Sequence, residues 1–159
     1  MHIPSALRSA CFTFAVAAVL RLLSSPLAAQ PPRINTDELP RLEAFSHATR
    51  IGDLIFVAGT LGTVGQSFDL APGGIGPQTT QALRNIETIL EAAGSDLAHL
   101  AKCTVYLTDM ANFEEMNVAW IAVLGDSPPA RATIESPTLA LGAAVEIECI
   151  AQRRRPEPN

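Results

Sequence analysis

The architecture follows from two stretches, Pro129-Ala130-Arg131-Ala132-Thr133 and Val145-Glu146-Ile147-Glu148. Each stretch is predicted to be a β-strand. Because side chains in a strand alternate between the two faces of a sheet, Arg131 and Thr133 share one face, and the two glutamates of the second stretch also share one face. The two stretches therefore predict a sheet that presents an arginine from one strand and a pair of glutamates from another.

Arg131 lies among small and apolar residues, where its charge is costly to bury without an anionic partner. Its planar guanidinium suits a carboxylate that accepts two parallel hydrogen bonds. One candidate partner is a glutamate of the neighbouring strand, which would make a structural ion pair, as most such pairs are structural or solvated. The other is the carboxylate of a substrate, which would leave the glutamate free to handle a water molecule or a proton. The spacing leaves both open.

The first residues, 1–29, are predicted to be a secretory signal peptide. Arg8 lies in a short polar start, the apolar run 10–20 is too short to span a bilayer as a stable anchor, and small residues precede a predicted cleavage after Ala29. Arg21 interrupts the apolar stretch early, which leaves an uncleaved N-terminal anchor as the alternative. We therefore expect a secreted or periplasmic protein.

The mature chain would be long enough for one domain with its own core. Without Arg8 and Arg21 it keeps 9 of the 11 basic residues against 16 acidic ones, for a net charge of −7. This negative charge argues against a nucleic-acid partner. Residues 30–41 are polar and proline-containing and predict a linker, and residues 153–159 predict a basic, proline-containing tail.

Cysteine and histidine usage predicts neither a disulfide nor a metal site. Cys103 and Cys149 would remain after cleavage, each inside an apolar, strand-like run. An oxidising compartment would allow them to pair, but neither close spacing nor a loop context favours a bridge, so we expect two buried reduced thiols. His47 and His99 are isolated, with no histidine or cysteine at ligand spacing, so no metal is expected.

Hydrophobic periodicity predicts five strands and two helices. In chain order these elements are a strand over 41–49, a strand over 54–59, a helix over 77–93, a strand over 100–107, a helix over 111–124 capped by Asp109, and strands over 130–135 and 143–151. This order predicts an α+β fold with both helices on one face of a mixed β-sheet. The other face would remain for a partner subunit, so we expect a homo-oligomer.

Five segments occur in the order and at close to the spacing of a known family. They are GDLIFVAG (52–59), QTTQALRNI (78–86), TVYLTDM (104–110), PAR (129–131) and VEIECIA (145–151). The chain thereby resembles the RidA/YjgF family of reactive-intermediate deaminases over about residues 42–152, which we take as the domain. The resemblance implies a chorismate-mutase-like homotrimer with three clefts, one at each subunit interface, and no cofactor or metal.

The resemblance also implies the chemistry. The reaction would be hydrolysis of enamine/imine intermediates of the 2-aminoacrylate and 2-iminobutyrate type to 2-keto acids and ammonia. Arg131 would hold the substrate carboxylate, and Glu146 would orient the attacking water or act as a general base. The implied substrate-binding residues are Phe45, Gly59, Asn117 and Thr133. Spacing alone favours a satisfied core amide for Asn117, whereas the resemblance makes it a pocket residue.

Three positions depart from the family pattern. Phe45 replaces a common tyrosine, Ala58 replaces a serine, and Thr133 replaces a cysteine, so polar groups near the substrate are lost or altered. Together with the predicted export, these departures leave a second function open, a non-catalytic periplasmic binder of small carboxylates or keto acids on the same trimeric scaffold. His47 shares the predicted strand face of Phe45 and could compensate for the lost hydroxyl, but a surface histidine is the expected interpretation.

Overall fold

Six strands form one sheet in the computed structural model, which describes residues 30–155; the predicted signal peptide lies outside this range. The elements are β1 (Arg33–Ile34), β2 (Ala48–Ile51), β3 (Leu54–Leu61), α1 (Ile75–Ala92), β4 (Leu100–Leu107), α2 (Phe113–Leu124), β5 (Ala130–Glu135) and β6 (Val145–Gln152). The strand order is β1-β2-β3-β6-β4-β5. Only β4 and β5 pair in parallel among these strands, so the mixed sheet of an α+β fold is confirmed.

Both helices cover the same face of the sheet. α1 packs against β3, β6 and α2, and α2 reaches β5 through contacts with Arg131. β6 shows the alternation that builds this core, because Val145 and Ile147 are fully buried while Glu146 between them points to the other face. No helix within residues 30–155 is long and apolar enough to cross a membrane.

The predicted helix ends agree with the structure within two residues. α1 begins with Pro77 in its first turn and is followed by Gly94, whose φ of 78° permits the left-handed turn that ends a helix. Asp109 accepts a hydrogen bond from the backbone N–H of Ala111 at 2.8 Å. This contact caps a single 3₁₀ turn, Met110–Asn112, that leads directly into α2.

The segment before β2 differs from the prediction. The strand predicted over 41–49 is confined to Ala48–Ile51, and the predicted linker over 30–41 contributes β1, where Arg33 pairs with Thr49 of β2. Leu39 from the same segment is buried in the core. Residues 31–41 are therefore part of the folded unit, and a strand of two residues is too short to produce a periodic sequence pattern.

His47 explains why this segment is ordered. It is 7% exposed, so the surface position expected from the sequence is wrong. Its Nδ1 accepts a hydrogen bond from the backbone N–H of Thr36 at 3.2 Å, and its Nε2 lies 3.2 Å from the carbonyl oxygen of Pro40. Because a backbone N–H can only donate, the neutral ring carries its proton on Nε2. Both ring nitrogens are thus used to hold residues 36–40 against β2.

Cys103 and Cys149 form a disulfide, so the expectation of two reduced thiols is wrong. The two residues are direct partners in the antiparallel pairing of β4 and β6, and their Cα atoms are 4.1 Å apart. Both are buried on the helix side of the sheet. Their separation of 46 residues along the chain gave no sign of this proximity, because strand register is a property of the folded sheet.

Candidate functional site

Arg131 points from β5 towards α2. Its partner in the parallel pairing with β4 is the buried Cys103, which places its side chain on the helix-covered face of the sheet. Nη2 donates a hydrogen bond to Oδ1 of Asn117 at 2.7 Å. The guanidinium carbon lies 4.9 Å from the ring centroid of Trp120 and 5.6 Å from that of Phe113, which are cation–π distances. One amide and two aromatic rings of α2 therefore hold the guanidinium in place.

No carboxylate of the chain pairs with Arg131 within the described residues. The ion pairs found there join Asp96 to His99 and to Arg154, so the structural Arg/Glu pair that the sequence left open does not form. Burial lowers the pKa of Arg131, but a guanidinium remains charged in proteins. None of the carboxylates in residues 30–155 neutralises its charge, and its remaining N–H donors suit a planar anion.

Asn117 and Thr133, two of the predicted substrate-binding residues, lie on the same side of the sheet as this arginine, and their role stays a prediction. Asn117 accepts the Arg131 hydrogen bond from α2, and Thr133 is half-buried two residues further along β5 on the same face. We call these three residues the arginine half-site. Phe113 and Trp120, which stack on the guanidinium, were absent from the predicted site, although their spacing of four and three residues from Asn117 indicated a shared helix face.

Glu146 lies beside Gly59, where only a glycine leaves enough room. A Cβ atom built at position 59 would overlap Oε1 of Glu146. The glycine falls where the register of β3 against β6 shifts between Val57 and Thr60, which is a β-bulge or similar irregularity. The sequence GDLIFVAG therefore ends in a glycine that lets the Glu146 carboxylate lie directly over the β3 backbone.

Phe45, Gly59 and Glu146 line one cavity of about 360 Å³, and we call these three residues the glutamate half-site. The cavity is also bordered by Phe68, from the loop after β3, and by Leu141, from the short turn before β6. Both were absent from the sequence-based prediction because neither belongs to a periodic element.

Leu141 has an unusual backbone. Its φ of 59° makes it the one non-glycine residue with positive φ within residues 30–155. Such a conformation costs of the order of 1–3 kcal/mol for a residue with a β-carbon, and it is found mainly where the surrounding structure or function requires it. The strain falls at the border of the cavity, five residues before Glu146 in the chain.

The environment of Glu146 favours its protonated form. Burial raises the pKa of its carboxyl group, and the negative charge of Glu148 raises it further. Glu148 itself accepts a hydrogen bond from the hydroxyl of Tyr106 at 3.3 Å. A carboxylate with a raised pKa is a better proton acceptor than an ordinary glutamate.

The two half-sites are separate within one chain. β4 lies between β5 and β6, so these strands are roughly 10 Å apart, and Arg131 and Glu146 project from opposite faces of the sheet. An ion pair between Arg131 and Glu146, one of the alternatives that the sequence left open, therefore does not form within one chain. A site that uses both residues requires two copies of the chain.

Among residues 30–155, no three histidine, cysteine, aspartate or glutamate side chains gather in a metal-binding arrangement. The expectation of a metal-free and cofactor-free site stays a prediction. The chemistry available from the chain itself is anion binding by Arg131 and proton transfer at Glu146.

Comparison with known proteins gives consistent matches. The family model described as Endoribonuclease L-PSP matches residues 36–153. A 2-iminobutanoate/2-iminopropanoate deaminase of Bos taurus is 38% identical over 119 residues, which covers 74% of this chain and 87% of the relative. Reactive Intermediate Deaminase A, chloroplastic, of Arabidopsis thaliana is 31% identical over 152 residues, 89% of this chain and 81% of the relative. The crystal structure of RidA from the Antarctic bacterium Psychrobacter sp. is 34% identical, with a TM-score of 0.72, and covers 76% of this chain and 98% of that chain.

Proposed function

Since the chain belongs to the YjgF/RidA family, we propose that it hydrolyses reactive enamine/imine intermediates, of the 2-aminoacrylate and 2-iminobutyrate type, to 2-keto acids and ammonia. Relatives named deaminase support the reaction class. The observation that carries the proposal is the guanidinium of Arg131, which Asn117 positions while no carboxylate of the described chain neutralises it. The substrates of this reaction carry the carboxylate that such a group would bind.

We further infer that each active site combines the arginine half-site of one chain with the glutamate half-site of a neighbouring copy, in a homotrimer. Two features support this assembly. β5, which carries Arg131, is an edge strand of the sheet, and the sheet face away from the helices bears apolar side chains that are nearly half exposed, such as Leu54 and Ile134. Apolar surface of this kind is commonly covered by another subunit.

In this assembly the residues act in sequence on one substrate. Arg131 binds the carboxylate by two hydrogen bonds and so fixes the adjacent imine carbon. Glu146 accepts a proton from a water molecule as the water oxygen bonds to that carbon, and the imine nitrogen takes up this proton to give an amino-alcohol. The C–N bond then breaks as the hydroxyl proton of the amino-alcohol passes through Glu146 to the nitrogen, which releases ammonia and leaves the keto group. Because the reaction also proceeds in plain water, modest positioning is sufficient.

The raised pKa of Glu146 predicts a specific pH dependence. Glu146 must be ionised to accept a proton, so kcat/KM is expected to fall on the acidic side at a pH above that of an ordinary glutamate. Glu148→Gln removes one cause of the raised pKa and is expected to move this acidic limb to lower pH. Profiles of kcat/KM against pH would measure the shift, with Glu91→Gln on α1 as the charge-matched control. A limb that stays in place or moves to higher pH in Glu148→Gln would contradict the role of Glu146.

The proposed activity is tested with an oxidase-coupled assay. An amino-acid oxidase generates 2-imino acids in the presence of the mature protein, and the initial rate of keto acid release is compared with spontaneous hydrolysis. We expect acceleration by the wild-type protein and none by Arg131→Ala, with Arg131→Met as a variant that keeps the side-chain volume against Trp120. Equal rates with and without the wild-type protein, across several imino acids, would overturn the proposal.

A second candidate function is a binder of small carboxylates without turnover. It is favoured by the cavity lining, in which Phe45 and Ala58 offer no hydroxyl group to the substrate. In that case a keto acid would raise the melting temperature only when Arg131 is present, and the imine assay would show no acceleration.

We also propose that the protein is exported and loses its first 29 residues. The buried Cys103–Cys149 disulfide supports this location, because disulfides persist mainly in oxidising compartments.

A further inference from the structure

We propose that the site selects 2-imino acids with bulky apolar side chains, leucine-like or aromatic, over small ones such as 2-iminopropanoate, and that Phe68 and Leu141 determine this selectivity. The inference rests on the proposed function and concerns the same cavity. It narrows the substrate class beyond the small imines that the family resemblance implies.

Large apolar side chains form much of the inner surface of the cavity. Leu42, Phe45, Phe68 and Leu141 all line it, and their exposed fractions are 46%, 50%, 44% and 55%. Large apolar side chains rarely remain this exposed side by side without a ligand or partner to cover them. A ligand side chain of matching character would bury this surface, whereas a methyl group would leave most of it in water.

Apart from Glu146, the uncharged polar side chains Thr60, Asn85 and His47 around the cavity are already engaged within the chain. The hydroxyl of Thr60 donates to the carbonyl oxygen of Ala58 at 2.9 Å. The amide of Asn85 donates to the carbonyl oxygen of Leu61 at 2.9 Å and accepts from Gln81 at 2.9 Å. Both ring nitrogens of the cavity-lining His47 are similarly used, as described above. A polar substrate side chain would therefore lose its hydration without gaining hydrogen bonds from these groups.

The cavity is large enough for a bulky substrate side chain. Its volume of about 360 Å³ falls in the range of roughly 300–1,000 Å³ that is typical for pockets of drug-sized ligands. The Glu146 carboxylate occupies one part of the lining, where the imine carbon would be placed. The space beyond it is available to the substrate side chain, and a substrate that ends in a methyl group would fill little of it.

Phe68 and Leu141 are assigned the selectivity because neither belongs to the core. Phe68 lies in the loop between β3 and α1, and Leu141 lies in the turn before β6. The positive φ of Leu141 is unfavourable for a leucine, yet the turn keeps this residue half exposed beside the cavity. A strained residue that presents an apolar side chain to a cavity is better explained by ligand contact than by folding.

The selectivity is tested on the intact mature oligomer with imino acids derived from leucine, phenylalanine and alanine. We expect kcat/KM for the leucine and phenylalanine imines to exceed that for the alanine imine by roughly tenfold or more. Phe68→Ala and Leu141→Asn are expected to lower kcat/KM for the leucine and phenylalanine imines more than for the alanine imine, and so to remove most of this preference. Asparagine is chosen at position 141 because it tolerates positive φ. Ile51→Asn, at a residue 60% exposed and outside the cavity, is the control.

A second readout separates this inference from the proposed function. Calorimetry with 4-methyl-2-oxopentanoate and with pyruvate compares the affinities for the two keto acids without requiring turnover. If no imine is hydrolysed but the larger keto acid binds at least tenfold more tightly through Phe68 and Leu141, the deaminase proposal fails and the selectivity stands. If imines are hydrolysed but kcat/KM and affinity are the same for small and large ligands, the selectivity is overturned and the deaminase stands. The same conclusion holds if the variants lower these values equally for small and large ligands.

Discussion

Chains that carry Arg131→Ala and chains that carry Glu146→Gln are each expected to be inactive alone and to regain activity when mixed in one oligomer. Loss of either group is expected to lower kcat/KM by roughly 10²–10³-fold, because a positioned charged partner of the substrate or the water disappears. Every proposed trimer that contains both variants combines an intact arginine with an intact glutamate at one of its three interfaces, so about one third of the wild-type activity should return in the purified mixed trimers.

Activity is expected to return in mixed oligomers because Arg131 and Glu146 lie on opposite faces of the sheet. Arg131 faces α2 on the helix-covered side of the sheet, whereas Glu146 lies over Gly59 on the other side. One chain cannot bring both to a single substrate, but two chains in contact can. The experiment co-expresses the two variants with different affinity tags and purifies the mixed oligomers through both tags in turn.

The controls follow from the same geometry. The double variant Arg131→Ala/Glu146→Gln, mixed with either single variant, should recover nothing, because no interface then combines the two intact residues. Mixed oligomers of verified composition that remain as inactive as the single variants would show that the two residues do not act together across an interface. Arg131→Met in place of Arg131→Ala would then distinguish lost chemistry from disturbed packing against Trp120.

The second large effect concerns stability. Replacing both Cys103 and Cys149 by alanine is expected to lower the free energy of unfolding by about 2–4 kcal/mol, because the disulfide closes a 46-residue loop and restricts the unfolded chain. It also ties β4 to β6 in the centre of the sheet. Urea unfolding at one fixed protein concentration would measure the loss, since the apparent stability of the proposed homotrimer would depend on concentration.

Reduction offers the matched control for this variant. A reductant should lower the urea midpoint of the wild-type protein towards that of the alanine variant and should leave the variant itself unchanged. Alanine is preferred to serine because both positions are almost fully buried, where an unpaired hydroxyl would add its own penalty. A wild-type midpoint that is unaffected by reductant, after thiol titration has confirmed reduction, would contradict the prediction.

Elements with a clear period could be predicted from the sequence. The boundaries of β4 and β5 agree with the predictions over 100–107 and 130–135, because alternation along a strand is visible in the chain itself. β1 has only two residues and no period, so it was assigned to a linker. His47 was expected at the surface, and Cys103 and Cys149 were expected to be reduced thiols. Both expectations were wrong, since the environment of each residue depends on a neighbour that is distant in sequence.

The residues of the candidate site also divide into those that sequence motifs indicate and those that only the folded structure brings to the cavity. The sequence, through its motifs, pointed to Arg131, Glu146 and the residues grouped with each of them, whose roles stay predictions. It was not sufficient to find Phe68 and Leu141, which lie in loops and are brought to the cavity only by the path of the chain.

Local order was thus determined by the sequence itself: the two helices, most of the strands, and which residues within one strand share a face. Only the tertiary structure decided that β4 separates β5 from β6 and that Arg131 and Glu146 point in opposite directions. The reason is physical. Alternation relates a side chain to its neighbours in the same strand, whereas strand order and the choice of the helix-covered face depend on how distant segments bury their apolar surfaces together.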